Sequence, residues 1–136
     1  MSTKPVLGYW SIRGLAHQIR HMFAYLNVDF ENKMYTTGDA PDFDKSEWEN
    51  EKNTLGLEYP NLPYLIDGEV RLTETVAIMR YVAKKYDPSL LGRNAAELGR
   101  IEMLSYFVIE LKGKATMPCY MSGDKDEIIS ECRPIL

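Results

Sequence analysis

Cysteine is scarce in this chain of 136 residues: it has two, Cys119 and Cys132, with no CxxC pair and no metal-type spacing. That excludes a disulfide framework and a thiol-built zinc site. It also removes thioredoxin-type dithiol chemistry, because Tyr9-Trp-Ser-Ile12 stands after the first strand where a CxxC would be needed. The two thiols are expected to be reduced and buried or partly buried, with no chemistry assigned. No apolar run approaches the roughly 20 residues of a membrane-spanning helix, and the opening Met1-Ser-Thr-Lys-Pro5 lacks a signal-peptide apolar core. A cytoplasmic protein is the expectation. Positive charge is also short, with 16 Lys and Arg against 20 Asp and Glu and a net charge of −4, which disfavours nucleic acid and anionic membrane surfaces as partners.

What is present reads as soluble and globular: 45% hydrophobic and 26% charged residues, in a length that supports one domain with a real core and is short for two. The densest information lies in Tyr59-Pro-Asn-Leu-Pro-Tyr-Leu-Ile-Asp-Gly68 and its continuation to Tyr81. Tyr64 to Ile66 is a short β-type run, Asp67-Gly68 favours a two-residue hairpin turn with both central positions at positive φ, and Val70 to Leu72 is the return strand. Thr73-Glu74-Thr75 offers a hydroxyl cap and an early acid, after which Val76, Met79, Val82 and Ala83 recur at helical spacing. Pro63 either starts an edge strand or is a cis proline that exposes the backbone of Leu62. The helix opening at Glu74-Thr75 is either an ordinary cap or a place for a carboxylate.

Ahead of this stretch, Pro5 to Trp10 predicts a strand, and Arg13-Gly14 leads into a helix with Leu15, Ile19, Met22, Phe23 and Leu26 on one face. His17 and His21 have the i, i+4 spacing of paired metal ligands, but no third ligand accompanies them and surface or capping roles are expected. Asn27 to Tyr35 alternates through Val28, Phe30 and Met34 as a second strand, parallel to the first across a right-handed helical crossover. Residues 36 to 56 are polar and turn-rich, weakly helical from Ser46 to Lys52, an excursion that is usually functional or loose. Trp48, Lys45 and Lys52 either reach back to an anionic ligand or form a solvated face anchored by one tryptophan. Asp87 to Arg93 is a linker, and the long apolar helix after Asn94 carries Leu98, Ile101, Met103, Leu104, Phe107, Val108 and Leu111. Gly123-Asp124 punctuates it before a further amphipathic helix. A helical segment this short cannot bury both apolar faces alone.

The order β-α-β, then β-β-α with a proline before its first strand, then helices, resembles the glutathione transferases. Gly8 to Arg20, Tyr35 to Asp42 with Ser46-Glu-Trp48, Leu55 to Gly68 and Cys119-Tyr120 look like the mu class in particular, and these motifs span nearly the whole chain in the right order. The resemblance implies an α/β plus all-α architecture. Residues 1–88 would form a thioredoxin-like βαβ-ββα glutathione-binding domain, and residues 89–136 the start of the all-α domain, C-terminally truncated because the family's helices continue further. It implies conjugation of reduced glutathione to hydrophobic electrophiles, with glutathione a co-substrate, no cofactor and no metal. The alternative is a catalytically weak glutathione-binding or dimerisation module.

Residue by residue, the resemblance implies Tyr9 as the catalytic group. A phenol ordinarily titrates near 10, so a tyrosine there would not act as base but would donate a hydrogen bond that stabilises the thiolate. It implies Leu62 pairing its backbone with the cysteinyl part of glutathione. Asn61, Trp10, Trp48, Lys45 and Lys52 would hold the glycyl end, with Glu74 and Thr75 on the γ-glutamyl end. Mu enzymes more often carry Gln-Ser where Glu74-Thr75 stands, and a carboxylate suits an ammonium at least as well. Glu110 would reach the neighbouring subunit's glutathione, Tyr120 would face the electrophile, and Tyr59 would be the key inserted into the partner of a homodimer.

Overall fold

A computed structural model describes residues 4–121 and 124–132. The chain divides into two compact units, Met1–Leu90 and Leu91–Leu136.

In the first unit, β1 (Val6–Trp10) is followed by a 3-10 turn, α1 (His17–Tyr25) and β2 (Glu31–Tyr35); α2 (Ser46–Glu51) precedes β3 (Tyr64–Asp67), β4 (Val70–Thr73) and α3 (Thr75–Tyr86). The four strands form one sheet in the order β2-β1-β3-β4. β1 and β2 are parallel, joined through α1, while β3 runs antiparallel to β1 and forms a hairpin with β4. The parallel pair needs a helical crossover, and α1 supplies it by burying Ile19 and Phe23. The core joins Leu7, Ile19, Phe23, Tyr35, Tyr64, Leu65, Ile78 and Val82, each at most 1% exposed.

Register fixes where the loops gather. Trp10 pairs with Tyr35, Gly8 with Tyr64, and Tyr64 with Thr73. The ends of β1, β2 and β4 and the beginning of β3 therefore share one end of the sheet. Everything that follows those ends, including the loop at 11–15, the excursion after Tyr35 and the start of α3, emerges there.

Several local expectations are corrected. β2 is shorter than Asn27 to Tyr35 and has the opposite parity: Tyr35 is buried and Met34 is 51% exposed. Leu15 lies in the 3-10 turn, not on the buried face of α1, and is exposed. The hairpin closes one residue later than Asp67-Gly68, since Asp67 pairs with Val70, leaving Gly68 and Glu69 as the central pair. Only Gly68 takes positive φ, at 62°; glycine at the first central position is the requirement of a type II′ turn. Asp67 is instead a strand residue, buried, where its carboxylate accepts from the Tyr81 hydroxyl at 3.0 Å and from Lys85, fastening α3 to β3. α3 buries Ile78 along with Val82 and Ala83, and it has no hydroxyl cap: its N-cap is Glu74, with φ 70° and no side-chain hydrogen bond to the helix.

The second unit contains α4 (Ala95–Met121) and α5 (Lys125–Cys132). The Asn94 side chain caps α4 by accepting from the Glu97 amide at 3.0 Å, and Asp124 caps α5 by accepting from the Asp126 amide at 2.8 Å. Leu98, Met103, Leu104, Phe107 and Val108 are exposed along α4. Cys119 is exposed, contrary to the expectation of a buried or partly buried thiol. The Cys132 side chain and Gly123 lie outside the described residues. Among the described residues no helix is long and apolar enough to cross a membrane, and no three His, Cys, Asp or Glu side chains cluster as metal ligands.

Candidate functional site

Tyr9 is buried near the end of β1, and its hydroxyl oxygen accepts a hydrogen bond from the Leu15 amide at 3.1 Å. The loop between them turns back tightly: a Cβ on Gly14, which has φ 39°, would lie 2.6 Å from the Tyr9 hydroxyl. Glycine is required there both for the left-handed backbone and for the close approach. A hydroxyl that accepts from an amide keeps its own proton to donate elsewhere.

Across the sheet end, the segment before β3 meets the start of α3. The Leu62–Pro63 peptide is cis. The Leu62 amide donates to Asn61 Oδ1 at 2.9 Å, and Asn61 Nδ2 donates to Glu74 Oε1 at 3.3 Å. Asn61, Leu62 and Glu74 thus form one hydrogen-bonded array, and the buried Thr75 follows directly as the first residue of α3. Glu74 and Asn61 are exposed, so their polar atoms face solvent where a ligand can reach them.

Trp10 and Lys45 line an open cleft of about 370 Å³ together with Ser11, Ile12, Tyr35, Thr36 and Thr37. This cleft joins the end of β1 to the excursion after β2. Trp48 does not stand on a solvated surface: it is 6% exposed, its ring stacked on Tyr64 at 6.0 Å and edge-on to Tyr35 at 5.3 Å. Lys52 is paired with Glu49 one turn earlier. Tyr59 is 73% exposed in the loop before β3. Glu110 and Tyr120 belong to the second unit, where Glu110 pairs with Lys114 at 2.6 Å, which holds its carboxyl below the usual range, and Tyr120 is exposed.

Beneath the cleft lies a polar group that the sequence did not disclose. The Tyr35 and Tyr64 hydroxyls share a hydrogen bond of 2.9 Å in the core, and Glu51 on α2 is paired with Lys33 on β2. Burial, then the hydrogen bond to Tyr64, pushes the Tyr35 phenol well above its ordinary range, while the bond from Lys33 holds the Glu51 carboxyl low. Glu51 is therefore ionised and Tyr35 neutral at physiological pH. Together with Trp48 they fix α2 to the sheet. Inward parity for Tyr35 would have been the signal; the Asn61–Glu74 contact, spanning 13 residues, left none in the sequence.

A parallel β-α-β unit joined to an antiparallel β-β-α unit, with a cis proline ahead of β3, defines a thioredoxin-like domain whose loops build a polar site at one sheet end. Residues 5–84 match the family model for the glutathione S-transferase N-terminal domain. The chain belongs to the glutathione S-transferase family. It is 47% identical over 115 residues to Glutathione S-transferase Mu 1 of Bos taurus, covering 85% of this chain and 52% of the relative. Against a Glutathione S-transferase of Tyrophagus putrescentiae it is 52% identical over 110 residues, covering 81% and 49%. The crystal structure of the glutathione S-transferase Blo t 8 superposes with a TM-score of 0.78 at 32% identity, covering 96% of this chain and 56% of that one. The mu class implied by the motifs agrees with the name of the Bos taurus relative. The chain spans about half the length of the curated relatives it matches.

Proposed function

We propose that this chain binds reduced glutathione at the sheet end and serves its transfer to hydrophobic electrophiles in the cytoplasm, with Tyr9 stabilising the thiolate. The observation that carries this is the Tyr9 hydroxyl, which accepts from the Leu15 amide at 3.1 Å and so keeps its own proton to donate. A thiolate is a strong acceptor for such a proton, and a charge-assisted bond favours the ionised form of the thiol. Lowering a thiol from about 8.5 by two units takes about 2.7 kcal/mol.

The other roles follow the array. Glu74 pairs with the γ-glutamyl ammonium, and Thr75 offers its amide and hydroxyl to the γ-glutamyl carboxylate at the start of α3. Leu62 pairs with the cysteinyl backbone, exchanging the contact that its amide makes with Asn61 for one with the ligand. Lys45, Lys52, Trp10 and Asn61 surround the glycyl end, and Trp48 acts from within the core by fixing the helix that Lys52 follows. Glutathione is a co-substrate, and neither cofactor nor metal enters the reaction. Tyr120 faces the electrophile, and Glu110 reaches the glutathione of a second subunit.

Retention on immobilised glutathione tests the binding half of this reading directly. Glu74→Ala is expected to weaken glutathione binding about tenfold, equivalent to about 1.4 kcal/mol, measured by calorimetry. Unchanged affinity would remove Glu74 from the ligand. Retention without conjugating activity would instead favour a glutathione-binding module.

Tyr59, a large aromatic left 73% exposed, supports a homodimer in which it enters the partner subunit. Tyr59→Ala is expected to shift sedimentation towards monomer. A wild-type chain already monomeric at micromolar concentration would defeat this role and that of Glu110.

A further inference from the structure

Resting on the reading of Tyr9 above, we infer that Arg20 is a positioning residue for the reaction: its guanidinium clamps the loop that delivers the Leu15 amide to the Tyr9 hydroxyl. Arg20 lies on α1, outside the site as described so far. Its Nη1 donates to the Ile12 carbonyl at 2.9 Å and to the Arg13 carbonyl at 3.5 Å, while Nε donates to Asn32 Oδ1 at 3.0 Å. One planar fork therefore ties three points together: the helix that bears it, the edge strand β2, and the two residues leading into Gly14.

Backbone bonds anchor the loop at its start. The Ser11 amide donates to the Tyr35 carbonyl at 2.7 Å and the Ile12 amide to the Trp10 carbonyl at 2.7 Å, and these bonds fix its first residues. Ser11, Ile12 and Arg13 are all exposed, and Leu15 is 49% exposed, so apolar packing does not set its course. Gly14, at φ 39°, makes the tight turn next to the Tyr9 hydroxyl. Arg20 holds the carbonyls just before that turn. It also holds Ile12, which lines the cleft, so the same clamp sets one wall of the cavity. Its Nη2 is buried and finds no partner among the described residues. A lysine would give one point contact in place of the fork, since only guanidinium has fixed divergent donors.

Arg20→Met in the full chain removes the clamp while keeping the apolar stem. Three readouts follow: thermal unfolding, hydrogen exchange at the Leu15 amide, and the pH titration of bound glutathione thiolate by ultraviolet absorbance, with Tyr9→Phe run alongside. The expected result is faster exchange at Leu15 and a bound-thiol titration moved upward by about one pH unit, a tenfold change in the thiolate-to-thiol ratio. Arg20→Lys is expected to restore part of both effects, and it carries the same readouts if Arg20→Met does not fold. An upward shift in Tyr9→Phe combined with wild-type exchange and titration in the Arg20 variants would overturn this role alone. No shift in Tyr9→Phe would overturn the reading of Tyr9 and this inference with it.

Discussion

Replacing Tyr9 with phenylalanine is expected to cut conjugating turnover at neutral pH by about 10²-fold, the typical loss when one donor to a developing or resting anion is removed. Glutathione affinity should change little, because the array formed by Asn61, Leu62 and Glu74, proposed above to hold other parts of the tripeptide, is untouched. The bound thiol should titrate near its solution range, so the deficit in turnover should shrink as pH rises and solvent ionises the thiol unaided. The fold should tolerate the change: phenylalanine fills the same buried volume, and the loss is one hydrogen bond from the Leu15 amide, about 1 kcal/mol. Steady-state kinetics across pH decide the matter. Turnover equal to wild type at neutral pH would show that another group stabilises the thiolate.

Gly8→Ala is expected to be the most damaging substitution for the fold, about 3 kcal/mol and a fall of roughly 10 °C in Tm. The added Cβ would lie 2.1 Å from Tyr64 Cε1. Tyr64 cannot swing aside, because it is 1% exposed, stacked on Trp48 and hydrogen-bonded to Tyr35 at 2.9 Å. Backbone relief is also blocked, since β1 is bonded on one edge to β2 and on the other to β3. Displacement of Tyr64 would loosen Trp48 and the helix that Lys52 follows, so the damage should extend to the site. Calorimetric unfolding within 1 kcal/mol of wild type would mean that the aromatic cluster is more compliant than its contacts indicate.

The outline of this fold was legible because its signals are local. Val6 to Trp10, the apolar spacing of α1 and the pair of strands around Gly68 each announce an element within a few residues, and the family motifs tie them in order. What failed was parity and punctuation. Met34 looks like the inward residue of β2 because it is the more apolar of two neighbours, yet Tyr35 points inward, its hydroxyl satisfied by Tyr64, a partner 29 residues away. Asp67-Gly68 reads as the turn because both positions accept positive φ, whereas Asp67 is claimed by Tyr81 and Lys85 from α3. For the candidate site, residue types were readable from the motifs, but the contacts that orient them were not. Arg20 with Ile12, Leu15 with Tyr9 and Asn61 with Glu74 all depend on chain crossings that periodicity does not encode.

The backbone at Glu74 sets firmness of the fold against what its side chain offers. A non-glycine residue at φ 70°, ψ 117° carries strain of about 1–3 kcal/mol. Glycine would relieve that strain, and the helix would lose no cap, because the Glu74 side chain makes none. Optimising the chain for durability alone would therefore erase the carboxylate. Heat-resistant variants selected without regard to ligand would drift towards glycine at this position, and their gain in robustness would come at the expense of the one acidic group joined to Asn61 at the sheet end.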